Sequence, residues 1–279
     1  MIYCRIIPNL RKGIGNHMSL PGSFQAKKKD GTIYYRSSIT YKNKHISLGS
    51  FSTEEEAHAA YVQAGDVIND KEITIESYNN SILLPFEKWV VLINFRDNNI
   101  YFNTPIYLRP KFFYYYLTGK IRLTFDIDDL FFYASHKISH RGGHLFVADY
   151  GMQLSIHTRY GIKNYAVLNK DYRFINGDVH DYRYENLEIL NPYYGVTFSD
   201  VKDTKKYCAK IHLHGNYTIG YYETALEAAI AYNKAIDIVR RNGCTKNFSF
   251  NEIVEVSPSV YADIYSKIKI SKKIEASHF

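Results

Sequence analysis

The side chains best suited to acid–base or metal chemistry crowd into one stretch. Between His136 and His180 lie five histidines, His136, His140, His144, His157 and His180, with Asp171 and Asp178 among them. Histidine changes charge near neutral pH and is the commonest metal ligand, so spacing decides what this set could do. His136 and His140 are four apart and on a helix would share a face as a metal pair. The run Arg141-Gly142-Gly143 reads as a turn, however, so the spacing does not carry through to His144. These histidines beside a basic turn therefore read as surface or phosphate contacts, and no metal site is expected. Downstream, Asn176-Gly177-Asp178 is turn chemistry, Asp181 is placed to cap a short helix, and Asn186 to tie loop backbone together. The sequence holds no Gly-rich phosphate loop, serine-elbow motif or paired zinc cysteines.

The stretch from Ile175, I-N-G-D-x-x-D-x-R-x-E-N-L-E-I-L, resembles the second half of the HNH endonuclease motif. Asp128-Asp129-Leu130, Gly142-Gly143 and Leu154-Ser155-Ile156-His157 with Arg159 are similar to the segments ahead of it, so the resemblance covers about residues 125–190. It implies a histidine base that activates water beside a scissile phosphate, and an adjacent ligand for a divalent metal. In the matching frame those two positions are Arg173 and Phe174. Phe takes no proton and Arg binds no cation. Loss of a positioned base alone forfeits about 10²- to 10⁴-fold in rate. The expectation is a nuclease scaffold without its chemistry, needing no cofactor, with Arg173 set near the phosphate backbone. The alternative is an active, Mg²⁺-dependent endonuclease with a rearranged site, using His157 or His180 as base and Asp171 or Asp178 as metal ligand. A second alternative is an inhibitor or adaptor that binds another protein.

These elements sit between two copies of one module. SLGSFSTEEEAHAAYVQA (Ser47–Ala64) and TIGYYETALEAAIAYNKA (Thr218–Ala235) match at Gly49/Gly220, Thr53/Thr224, Glu56/Glu227, Ala57/Ala228 and Tyr61/Tyr232, all 171 positions apart. Such self-similarity marks a repeated unit. Ahead of each Gly runs a hairpin of alternating residues broken by Asn43-Lys44 or Gly215-Asn216. After it, Thr53 or Thr224 with Glu three residues on spells a capping box, and Ala and Tyr recur at helical spacing. Each copy predicts a three-stranded antiparallel sheet crossed by one helix.

The pattern G-x-F-x-T-x-x-E-A-x-x-A-Y after a hairpin resembles the AP2/ERF DNA-binding domain, including the forms found in mobile-element endonucleases. The second copy adds Tyr194-Gly195-Val196, Lys210-Ile211-His212 and Asn247-Phe248 to the match. The resemblance implies a sheet whose open face lies in the major groove of double-stranded DNA. With Ile39, Ile211, Leu48 and Ile219 facing the helices, strand parity turns Arg36, Ser38, Thr40, His45 and Ser47 outward in the first copy. In the second it turns out Lys210, His212, Asn216 and Thr218. The first strands are read as offering Gln25 and Lys27, and Thr197 and Ser199. Plant members carry Arg and Trp at several such positions, which are mostly absent here, so no base preference is transferred.

The expected fold class is α+β: two three-stranded sheet-plus-helix modules flanking a ββα-type, HNH-like middle domain. The expected boundaries are a basic arm at 1–20, the first module at 21–70, a linker at 71–84, the middle domain at 85–191, the second module at 192–250 and a helical tail at 251–279. In the middle, short apolar strands are expected, IDDLFFYAS is the expected helix, and Trp89 is read as core. The tail reads as a closing helix packed on a module, with a homodimer helix as the alternative. Thirty-five Lys and Arg against 28 Asp and Glu give a net charge of +7 and favour a polyanionic partner. Cys4, Cys208 and Cys244 form no C-x-x-C pair, which suits a reducing compartment. With no signal-like leader and no membrane-spanning run, the expected location is the cytoplasm of a bacterial, phage-infected or virus-infected cell.

Overall fold

The computed structural model describes residues 19–163, 166–201 and 204–276. The basic arm and Cys4 lie outside the described residues. The fold is α+β, built from small three-stranded antiparallel sheets and helices. The chain divides into two compact units, Met1–Tyr107 and Leu108–Phe279.

In the first unit, β1 (Ser23–Lys27), β2 (Ile33–Tyr41) and β3 (Lys44–Phe51) form an antiparallel sheet in chain order. Lys42 and Asn43 turn the second hairpin with φ of 45° and 62°, so the turn sits one residue earlier than Asn43-Lys44. Helix α1 (Glu54–Asn69) begins at a complete capping box between Thr53 and Glu56. Its buried stripe Ala57, Ala60, Ala64 and Val67 belongs to the same core as Ile46 and Leu48. Short side chains let the helix approach the sheet closely.

Where short strands were expected, residues 86–98 form one helix, α2 (Phe86–Asn98). Every residue from Trp89 to Phe95 is buried and all but Asn94 are apolar, so the run is buried on every side and carries no helical stripe for a periodicity reading to detect. α2 packs on α1, and the Trp89 indole donates to the Thr74 carbonyl at 3.0 Å. It therefore belongs with the first module, and the boundary falls at Tyr107 rather than at residue 85. A short strand, β4 (Ile106–Leu108), spans that boundary.

The second unit opens with the hairpin β5 (Phe112–Tyr116) and β6 (Arg122–Asp126), then a 3-10 turn and helix α3 (Leu130–Ser135), as expected for IDDLFFYAS. A second sheet follows, β7 (Ile138–Arg141), β8 (His144–Asp149) and β9 (Met152–Ser155), then the short helix α4 (Ile156–Arg159). The I-N-G-D stretch is the loop of a two-stranded hairpin, β10 (Tyr172–Phe174) and β11 (Leu187–Ile189). The next element is a strand, so the ββα order expected of the middle domain is not found after this hairpin. The core here is aromatic: Phe125 stacks on Tyr133 with centroids 4.2 Å apart and lies 5.6 Å from Tyr182. At its edge buried Asp129 accepts from Arg159 Nη2 at 2.6 Å and from the Tyr160 hydroxyl at 2.8 Å.

The second module is β12 (Val196–Val201), β13 (Thr204–His212), β14 (Asn216–Tyr222) and α5 (Ala225–Arg241). It repeats the first feature by feature. Both sheets run in chain order, both helices start at a capping box, and both carry a β-bulge, at Ser37/Ser38 and at Ala209/Lys210. In both, a left-handed glycine (Gly22, φ 76°; Gly195, φ 70°) lies under the ring of the helix tyrosine, Tyr61 or Tyr232. These glycines are 173 positions apart rather than 171, because each hairpin of the second copy is one residue shorter. Helices α6 (Pro258–Lys267) and α7 (Lys272–Glu275) pack on α5, with Ile274 fully buried and Lys234 Nζ donating to the Tyr265 and Ile268 carbonyls at 2.8 and 2.9 Å. The tail thus closes its own module. Among the described residues no helix is long and apolar enough to cross a membrane.

Candidate nucleic-acid interface

Each module hides one sheet face under its helix and leaves the other open. In the first, the register pairs Ser38 with Ser47 and Thr40 with His45, so these four share the open face with Arg36. All but half-buried Ser38 are exposed. The Tyr34 hydroxyl accepts from Arg36 Nη2 at 2.6 Å and holds the guanidinium along the strand.

The first strand departs from the expected parity. Ser23 is buried, donates to Glu54 at the start of α1 and pairs with buried Ser37, which fixes the helix side. Directly paired residues of antiparallel strands share a face, so Gln25, opposite Tyr35, and Lys27, opposite Ile33, fall on that same side. Phe24 and Ala26 take the open face instead, and Phe24 is 56% exposed across from Arg36. Buried Ser23 is the counterpart of buried Val196, so Phe24, and not Gln25, occupies the place of Thr197.

In the second module the placement follows the reading. Lys210 pairs with Thr218 and His212 with Asn216, while Thr197 and Ser199 lie opposite Cys208 and Lys206 on the open face. His212 Nδ1 and Asn216 Oδ1 are 2.9 Å apart. The sequence reading missed two exposed aromatic residues that complete these faces: Tyr221, 52% exposed opposite Cys208, and Phe24. Neither was legible in the sequence: Ser23 is polar yet buried, and the bulge at Ala209/Lys210 breaks the parity that links Ile219 to Tyr221. Cys208 itself is buried, and burial pushes its thiol up.

In the middle of the second unit the I-N-G-D loop is fastened to β6. Thr124 N donates to the His180 carbonyl at 2.9 Å and Tyr182 N donates to the Thr124 carbonyl at 2.8 Å. Inside the loop, Asn186 Nδ2 donates to the Asp181 carbonyl and Asn176 N to Asn186 Oδ1, both at 2.8 Å, which is the tie expected of Asn186. Asp181 does not cap a helix. It accepts from Arg183 Nε and Nη2 at 2.9 and 2.7 Å and from Asn176 Nδ2 at 2.9 Å. Burial alone would raise its pKa, but these donors outweigh it and hold the carboxyl below the usual range.

Two adjoining hollows open beside this loop. One, of ≈ 220 Å³, has Tyr172, Phe174 and Tyr182 at its floor and His140, His144, His157 and His180 around it. The other, of ≈ 280 Å³, is lined by Lys120, Arg122, Thr124 and Arg183, with Asp178. Ile121 and His180 belong to both. His157 lies 2.9 Å from the Tyr182 hydroxyl, and burial, helped by nearby His144, lowers its pKa. His180 Nδ1 faces Asp178 at 3.6 Å. His136 stands apart, stacked on Phe132 and 3.4 Å from Asp149. His140 and His144 flank the Gly142-Gly143 turn. Among the described residues no three His, Cys, Asp or Glu side chains converge as a metal site.

The two motif-frame positions point opposite ways. Phe174 lines the first hollow, whereas exposed Arg173 reaches across the hairpin to Glu188 Oε2 at 2.5 Å. Its charge is therefore neutralised on the side away from the hollow. Asp171 is buried and engaged, accepting from Val167 N at 2.7 Å and Asn191 Nδ2 at 2.6 Å. No family model, curated protein or solved structure matches the chain.

Proposed function

We propose that the protein is a sequence-specific double-stranded DNA-binding regulator, working in the reducing interior of a cell, that reads the major groove with the open faces of its two sheets and performs no catalysis. The observation that carries this reading is the duplication. One sheet-and-helix module is built twice down to its bulge, cap and glycine–tyrosine contact, and each copy leaves open a face of hydrogen-bonding side chains. Arg36, Thr40 and His45 in one copy, and Lys210, His212 and Asn216 in the other, are groups that meet base edges and phosphates. A β-sheet is a known reader of the major groove, and the excess of positive charge suits a polyanion. Two readers on one chain raise affinity through effective concentration.

The inactive middle is supported by Phe174 at the position of the base and by Asp171 spent on structure. The competing reading, a Mg²⁺-dependent nuclease, draws on His157 and His180 lining one hollow with Asp178 in the next. Selection from a random duplex pool, run with Mg²⁺ and again with EDTA, separates the two. Intact duplexes sharing one motif under both conditions are expected. Ends that appear only with Mg²⁺ would establish the nuclease instead. Loss of sequence enrichment and of salt-sensitive affinity together would point to a protein partner.

A further inference from the structure

The two hollows beside the I-N-G-D loop differ in chemistry although they share Ile121 and His180. Lys120 and Arg122 project into one of them without an acidic partner among the described residues, and Arg122 lies 4.2 Å over the Tyr114 ring. Arg183, in the same hollow, is neutralised by Asp181 and Glu185, and Asp178 faces His180. The open cations are therefore Lys120 and Arg122, joined by the Thr124 hydroxyl. The neighbouring hollow is floored by the rings of Tyr172, Phe174 and Tyr182, with Val179 at its rim. A cationic recess beside an aromatic one matches the alternation of a single nucleic-acid strand, with a phosphate in the first and an unpaired base in the second. A duplex presents phosphates while keeping its bases stacked inside, so it fills only the cationic recess unless a nucleotide is extruded.

We infer that this paired cleft is a binding site for a single-stranded or extruded nucleotide segment, separate from the two sheet faces. The inference stands without the duplex-reading proposal, since no residue of either sheet face lines the cleft. Fluorescence anisotropy of the full chain with a fluorescein-labelled single strand of about 12 nucleotides, and with the same strand annealed to its complement, tests it. The wild type is expected to bind the single strand. Lys120→Ala/Arg122→Ala lowers that affinity and flattens its log–log salt dependence by about 1.4, two contacts at about 0.7 each. Both side chains extend from the β5–β6 hairpin surface, so the core is left intact. Val179→Trp, which fills the aromatic recess from its rim, weakens the single strand and spares the duplex, whereas Lys210→Ala/His212→Ala weakens only the duplex. The inference is overturned if single strand and duplex weaken equally in both cleft variants, if neither variant changes single-strand affinity, or if polyglutamate of matched charge competes as well as the strand.

Discussion

Gly195→Ala tests whether the glycine–tyrosine contact that repeats in both modules is a structural requirement. Gly195 has φ of 70°, a conformation that costs an L-residue about 1–2 kcal/mol. A Cβ there would also strike the Tyr232 ring and lie 2.6 Å from the Lys210 carbonyl oxygen. That oxygen belongs to the sheet backbone and cannot swing aside, so overpacking adds about 1–3 kcal/mol. The expected loss is about 2–5 kcal/mol, which in a unit of this size lowers Tm by roughly 5–15 °C. Calorimetry of the full chain reads it, with Gly215→Ala as control, since a Cβ at Gly215 meets nothing within 4 Å. Gly22→Ala should cost a similar amount through the Tyr61 ring, whose Cγ the added Cβ would strike. Adding Tyr232→Ala to Gly195→Ala should relieve only part of the strain, because the carbonyl contact and the φ remain. If Gly195→Ala melts with the wild type and the control, the shared contact is not what sets the two modules, and the argument from duplication weakens.

Thr224→Ala removes the hydroxyl that accepts from Glu227 N at 3.1 Å and should cost about 1 kcal/mol, read as a shift in urea midpoint at constant slope. Asp181 has its folded pKa held below the ordinary 3.8. Its contribution to stability is therefore fully present above that value and lost as pH falls through the lower folded pKa. Urea titrations at a series of acidic pH values should show this loss in the wild type, and Asp181→Asn should flatten it; parallel curves for the two proteins would refute the assignment. Duplex affinity should fall linearly on a log–log plot against salt, and Lys210→Ala should reduce the slope by about 0.9 if Lys210 meets a phosphate. A Lys210→Ala/His212→Ala protein that binds duplex like the wild type would remove the second sheet as a reader.

What the sequence determined by itself was whatever local spacing encodes. The repeat, its capping boxes at Thr53 and Thr224, the alternating hairpins and the Asn186 tie are all short-range patterns, and the α+β class follows from them. Three things waited for the tertiary structure. Helix α2 was invisible as a helix because burial on every side erases the stripe that betrays one. The face carrying Phe24 rather than Gln25 depended on register, and a single residue lost from a hairpin turns every side chain of a strand over. The histidine- and cation-lined hollows depended on the hydrogen bonds that fasten His180 and Tyr182 to Thr124. Those bonds bring Lys120 and Arg122 beside residues far along the chain, a meeting that no spacing in the sequence records, because it is set by which backbone groups pair and not by how far apart they are written.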